Sequence, residues 1–173
     1  MPKEDLFVPI NNFVPIPFQL IVVRYGDCTN NGKKSLKLND NGKKSINYLL
    51  DKISDNLIGN EEIVLLSSNA PRALASSLHI FHKLDGANAI LADNALRLDY
   101  QYSEDYDVAV NMIKTMGNYA DIAIVITNRD YANTFPQFFV RKMSGGRKSC
   151  EILNIPRGGG VWIDQNLNAK MIT

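Results

Sequence analysis

Four short apolar runs, over residues 20–23, 63–66, 89–91 and 122–126, alternate with segments whose apolar residues recur at helical spacing. Nothing else in the chain constrains its fold as much. Each run is too short for a helix, and the first, second and fourth are apolar on both sides of the pleat, as in strands covered on both faces. Between them, Ile46, Leu49, Leu50, Ile53 and Leu57 share one face of a helix that Asn39 can cap. A second helix, over about 71–84, aligns Leu74, Leu78 and Phe81, with Pro71 in the first turn, where its missing N–H costs nothing. A third, over about 104–116, turns Tyr106, Ala109, Val110 and Ile113 inward. Two more strand candidates, 151–153 and 161–163, flank Pro156-Arg157-Gly158-Gly159-Gly160. The alternation predicts a three-layer α/β domain: a mostly parallel central sheet, helices on both faces, and room for an antiparallel edge.

At 173 residues the chain is most simply one such domain, able to bury roughly 70% of the surface its unfolded form exposes. Nineteen basic against eighteen acidic side chains leave no global pull toward nucleic acid or anionic lipid. No stretch approaches the ~18 apolar residues of a membrane span, and the first 18 residues, with Lys3, Glu4, Asp5 and three prolines, lack the apolar core of a signal peptide. Cys28 and Cys150 have neither redox-motif nor metal-ligand spacing, which points to free thiols and a cytoplasmic setting. The expected organisation is an extended arm over 1–18 and a domain over 19–173. Phe7, Val8, Ile10, Phe13, Val14 and Ile16 make the arm apolar enough to pack on its own domain or on a second subunit as a homo-oligomer.

Open α/β sheets bind ligands beyond the carboxyl ends of their strands. Here those ends read Arg24-Tyr25-Gly26-Asp27, Ser67-Ser68-Asn69-Ala70-Pro71-Arg72 and Thr127-Asn128-Arg129-Asp130. Arg72 beside a helix N-terminus combines a guanidinium fork with free N–H groups, a good anion site. Alone it would read as a surface arginine at a helix start. Together with Arg24 it favours phosphate.

These residues carry a resemblance. An apolar strand running into Arg-X-Gly, followed after a helix by a strand, Ser67-Ser68, a turn and Arg72, resembles the signatures of the histidine phosphatase (phosphoglycerate mutase-like) superfamily. Leu38-Asn39-Asp40-Asn41-Gly42 is similar to its capped helix start, and the likeness runs over about 19–165. It implies a phosphoglycerate mutase-like fold over residues 19–173, with Arg24, Arg72, Asn31 and Asn128 as phosphate-binding residues. It also implies histidines at positions 25 and 128, where this chain has Tyr25 and Asn128. Imidazole is nucleophilic near neutral pH and forms a labile N–P bond, whereas a phenol, with an ordinary pKa near 10, is mostly protonated. Tyr25 reads equally well as a half-buried aromatic that fills space beside Arg24.

The general acid of the family has positional candidates in Glu104, Asp105 and Asp130, with no motif to choose among them. His79 and His82 fall opposite the Leu74–Leu78–Phe81 stripe and read as solvent-facing. The glycines at 158–160 precede a strand, not a helix, so they read as a flexible connection. Lys33, Lys34, Lys37, Lys43 and Lys44 read as a solvated face that could steer an anion. Two copies of Asn-Gly-Lys-Lys-Ser, at 31–35 and 41–45, are too few and too close for a repeat fold. No metal or cofactor motif is present.

Three functional readings follow. The first is a catalytically impaired pseudoenzyme that binds a phosphorylated small molecule or phosphoprotein in a vestigial pocket. The second is a divergent phosphatase or phosphomutase working through Tyr25 or an activated water, with Asp27, Glu104 or Asp130 as acid or base. The third is a non-catalytic interaction subunit.

Overall fold

The computed structural model describes residues 15–29, 37–97, 105–151 and 154–173. Its elements are β1 (Gln19–Arg24), β2 (Cys28–Thr29), β3 (Lys37–Leu38), α1 (Asp40–Ser54), β4 (Ile63–Ser68), α2 (Pro71–Lys83) and β5 (Ala87–Asp93). A 3₁₀ turn (Asn94–Leu96), α3 (Asp105–Gly117), β6 (Ile122–Thr127), α4 (Arg129–Met143), β7 (Gly160–Ile163) and β8 (Ala169–Ile172) follow. The main sheet has the order β5-β4-β6-β1-β7-β8. Its first four strands are parallel; β7 runs antiparallel to β1 and β8 antiparallel to β7. β2 and β3 form a separate antiparallel pair.

Alternation along the strands divides the apolar residues between two cores. Leu20, Val22, Leu66, Ala123 and Val125 face α3 and α4, where Tyr131, Phe135 and Phe139 are fully buried. Ile21, Val23, Leu65, Ile124 and Ile126 face α1 and α2, against Ile46, Leu49 and Ile80. Each Val, Leu, Ile or Phe among them contributes about 1.5–3 kcal/mol by leaving water, so β1, β4 and β6 form the rigid centre of the sheet. Asn39 caps α1 as expected, its side chain accepting the Gly42 N–H at 2.8 Å.

Four features differ from the sequence reading. The buried face of α2 is Ala73, Ser76, Ser77 and Ile80, while Leu78 is 53% exposed. Small residues let this helix lie close to the sheet, and its hydroxyls are satisfied locally, Ser77 donating to Ala73 O at 2.8 Å. A fourth helix, α4, fills the segment after β6. Tyr131, Ala132, Phe135, Phe139 and Val140 recur in it at helical spacing, but the internal Pro136, which lacks the N–H for a helical bond, masks the pattern. The last strand, β8, was not anticipated; it pairs with β7 across a turn in which Asp164 Oδ1 accepts the N–H groups of Asn166 and Asn168, both at 2.9 Å. No strand forms at Glu151, and the rest of that candidate, 152–153, lies outside the described residues.

Of the proposed arm, residues 1–14 lie outside the described residues. The remainder packs on its own domain: Ile16 and Phe18 are buried, and Ile16 N–H donates to Gln165 O at 2.9 Å. The Phe18 ring lies so close to Gly117 that a Cβ there would sit 2.1 Å away. Among the described residues no helix is long and apolar enough to cross a membrane.

Candidate functional site

Because β1, β4 and β6 are parallel and in register, their carboxyl ends emerge together. Arg24 pairs with Thr127 across the ladder, and Tyr25 N–H donates to Thr127 O at 3.1 Å. Arg24 donates through Nη1 to Ile155 O at 2.8 Å, while its Nε is buried without a partner among the described residues. Burial, and after it the charge of Arg157, lowers the pKa of this guanidinium; Arg129 acts in the same direction, while Tyr25 and Asp130 oppose it. The Tyr25 ring packs toward the α1/α2 core, and the Arg72 guanidinium lies 5.8 Å from its centroid, within cation–π range.

The backbone beside Tyr25 is held tightly. Gly26 N–H donates to Ser76 Oγ at 3.0 Å, and that hydroxyl donates to Arg72 O at 3.0 Å, joining the end of β1 to the start of α2. A Cβ on Gly26 would meet Leu38 Cδ2 at 2.9 Å, and one on Gly42 would meet Asp27 O at 2.1 Å. Asp27 accepts from Asn39 Nδ2 at 2.8 Å and from the Arg157 guanidinium. These contacts, the Asn39 bond foremost, hold its carboxyl below the usual range.

Arg157 belongs to the glycine-rich segment that reads as flexible from sequence. That segment is pinned instead. Gly158 N–H donates to Arg24 O at 3.0 Å and Tyr25 O at 3.2 Å, and Gly159 O accepts from Arg24 N at 3.0 Å. Gly158 adopts φ +73° with Ser45 against it, a conformation and space that only glycine tolerates. Arg157 escaped the sequence reading because the three glycines after it dominate the motif. The available signal was its place directly ahead of a strand that pairs with β1.

At the end of β4, Ser67 Oγ donates to Ser68 O at 2.7 Å, and Ser68 Oγ is buried without a partner among the described residues. The N-terminus of α2 has no side-chain cap, leaving its first N–H groups to other acceptors. At the end of β6, Asn128 caps α4: its Oδ1 accepts the Tyr131 N–H at 3.3 Å. Asp130 pairs with Arg129 at 3.0 Å, both exposed.

Arg24, Tyr25, Arg72 and Asn128 thus stand at one end of the sheet, with Asp27, Arg129, Asp130 and Arg157 around them. Asn31, Glu104, Lys33 and Lys34 lie outside the described residues, as does the side chain of Asp105. Lys37, Lys43 and Lys44 are exposed. His79 is half-buried rather than solvent-facing, bonding Asn47 of α1 at 2.8 Å, and His82 is exposed. Burial lowers the His79 pKa, with the charges of Lys83, Lys43 and His82 adding to it. Among the described residues no cluster of His, Cys, Asp and Glu is suited to a metal ion. A cavity of about 550 Å³ bordered by Cys150, Val161 and Met171 shares none of these residues, whereas one of about 390 Å³ is bordered by Lys44, Arg157 and Gly158.

No protein-family profile matches the chain, and no curated protein matches it significantly. Solved structures do. The SixA protein of Agrobacterium tumefaciens, assigned as a phosphohistidine phosphatase, is 14% identical with a TM-score of 0.59, covering 91% of this chain and 97% of that one. SixA of Nakamurella multipartitia is 11% identical with a TM-score of 0.64 and covers 90% and 94%. A phosphoglycerate mutase from Plasmodium falciparum is 16% identical with a TM-score of 0.52 and covers 90% and 88%. Likeness at such low identity concerns the backbone, and the backbone of this chain has the fold of the histidine phosphatase, or phosphoglycerate mutase-like, superfamily.

Proposed function

We propose that this protein binds a phosphate monoester at the Arg24–Tyr25–Arg72 cluster and does not turn it over through a phosphohistidine. The observation that carries the reading is the pairing of charges. Arg129 and Arg157 each have a carboxylate partner, whereas Arg24 and Arg72 have none among the described residues. Two uncompensated guanidinium groups suit the charge of about −1.5 to −2 on a phosphate monoester. The uncapped N-terminus of α2 and the Nδ2 of Asn128 supply further donors. Both histidines of the chain lie on α2, and the strand ends carry Tyr25 and Asn128 instead. Proteins of this fold accept such ligands: one SixA was solved with tungstate, and a phosphoserine phosphatase of Entamoeba histolytica with 3-phosphoglyceric acid.

Calorimetric titration tests the reading, with O-phosphoserine and a phosphoserine peptide as separate arms and their unphosphorylated forms as controls. Charge-assisted bonds, less ordering and desolvation, give an expected Kd between micromolar and millimolar. Arg72→Ala should weaken it at least tenfold while the protein stays folded. A preference between the two arms identifies a small molecule or a phosphoprotein as the natural ligand. Absence of binding at millimolar ligand, or hydrolysis of an aryl phosphate faster than about 1 per second, overturns the proposal.

A further inference from the structure

We infer that Arg157 is a third anion-binding side chain, held by Asp27 until a ligand phosphate takes the carboxylate's place. The inference rests on the phosphate-binding reading above and adds a residue and an exchange to it. Its first support is the fixed backbone around Arg157. Gly158 N–H bonds both Arg24 O and Tyr25 O, and Gly159 O accepts from Arg24 N, so the Cα of Arg157 is tied to the end of β1 and only its side chain can swing. The second is proximity. Arg24 Nη1 donates to Ile155 O at 2.8 Å and Arg24 O accepts from Gly158 N, so this arginine bonds the backbone on both sides of Arg157, whose charge is the foremost one acting on it.

The third support is the weakness of the present pairing. The side chains of Arg157 and Asp27 are 50% and 33% exposed, and ion pairs this wet contribute little to stability. Asp27, by contrast, is fixed independently through Asn39 Nδ2, at 2.8 Å, and through its backbone O, which accepts from Asn39 N at 3.1 Å. Release of Arg157 therefore leaves the carboxylate where it is. Without a partner, an arginine this near Arg24 would repel it. Asp27 screens that repulsion, and a phosphate dianion would remove it more completely by accepting a bidentate bond from the guanidinium fork.

The exchange predicts opposite effects from its two partners. Asp27→Asn keeps an oxygen for Asn39 but gives up the ion pair, so O-phosphoserine should bind up to about fivefold more tightly than to wild type, the most a wet pair withholds. Arg157→Ala should bind about tenfold more weakly, Arg157→Lys should fall between, and the double variant should match Arg157→Ala. The measurement is calorimetric titration of the four variants and wild type with O-phosphoserine, after thermal melts confirm folding. Arg157→Ala alters an exposed side chain and keeps the inference testable if Asp27→Asn fails to fold. Wild-type affinity in Arg157→Ala, or weaker binding in a folded Asp27→Asn, overturns the exchange and leaves the phosphate site standing. Failure of wild type to bind overturns both.

Discussion

Asn128 combines two tasks in one side chain. Its Oδ1 caps α4, which fixes the amide and leaves Nδ2 as its remaining donor. The sequence resemblance assigns this position to an imidazole, and from sequence the residue reads only as a phosphate donor; the cap becomes visible once a helix is known to start at Arg129. The two tasks can be separated. Asn128→Asp retains a capping oxygen and favours the positive end of the helix, so stability should hold within about 0.5 kcal/mol. It also places a negative charge beside the proposed phosphate, and affinity should fall more than tenfold. Asn128→Ala should do the reverse in part, costing about 1 kcal/mol of stability through the lost cap. Urea denaturation and phosphoserine titration of the two variants provide the check. Equal loss of stability in both would mean that the cap is not what Asn128 contributes.

The helix α2 illustrates what periodicity can and cannot locate. Its extent was legible from Pro71 and the apolar spacing, but its buried face was not. Large apolar residues dominate a helical pattern, and this helix turns mostly small ones inward. Ser76 explains why: its hydroxyl accepts the Gly26 N–H and donates to Arg72 O, a junction that needs a short polar side chain at close approach. The same junction positions both the end of β1 and the first turn that carries Arg72. Ser76→Ala should therefore leave the buried Gly26 N–H unpaired and cost about 1–3 kcal/mol. Leu78→Lys, on the face that periodicity had assigned to the core, should change stability by no more than about 0.5 kcal/mol. Chemical denaturation of the two variants decides between the faces, and a large loss from Leu78→Lys with none from Ser76→Ala would restore the original stripe as the buried one.

Across the whole molecule, the strands β1, β4, β5 and β6 of a mostly parallel sheet with helices on both faces were legible in the sequence, because short apolar runs have few other places to go; their order across the sheet was not. The convergence of Arg24, Arg72 and Asn128 was legible for the same reason, since parallel strands deliver their carboxyl ends to one edge. The parts that escaped depend on long-range pairing: α4, whose apolar face is interrupted by Pro136; β8, which exists only against β7; and the Arg157 segment, which is ordered by hydrogen bonds to β1. The helix α4 and the Arg157 segment both contact β1, and β8 reaches it through β7, so the site and the centre of the fold share one support. A ligand bound there should consequently stabilise the domain as a unit. At a hundredfold excess over Kd, binding to the folded state alone adds about 2.7 kcal/mol, which for a domain of this size raises Tm by about 5–10 °C. Thermal melts with O-phosphoserine should show that shift as a single transition, with serine at matched ionic strength giving none. Arg72→Ala, whose guanidinium leaves the site without disturbing Ser76 or either core, should lose the shift while melting near the wild-type temperature. A shift that survives in Arg72→Ala would place the anion elsewhere on the molecule, and equal shifts with serine would reduce the effect to general salt.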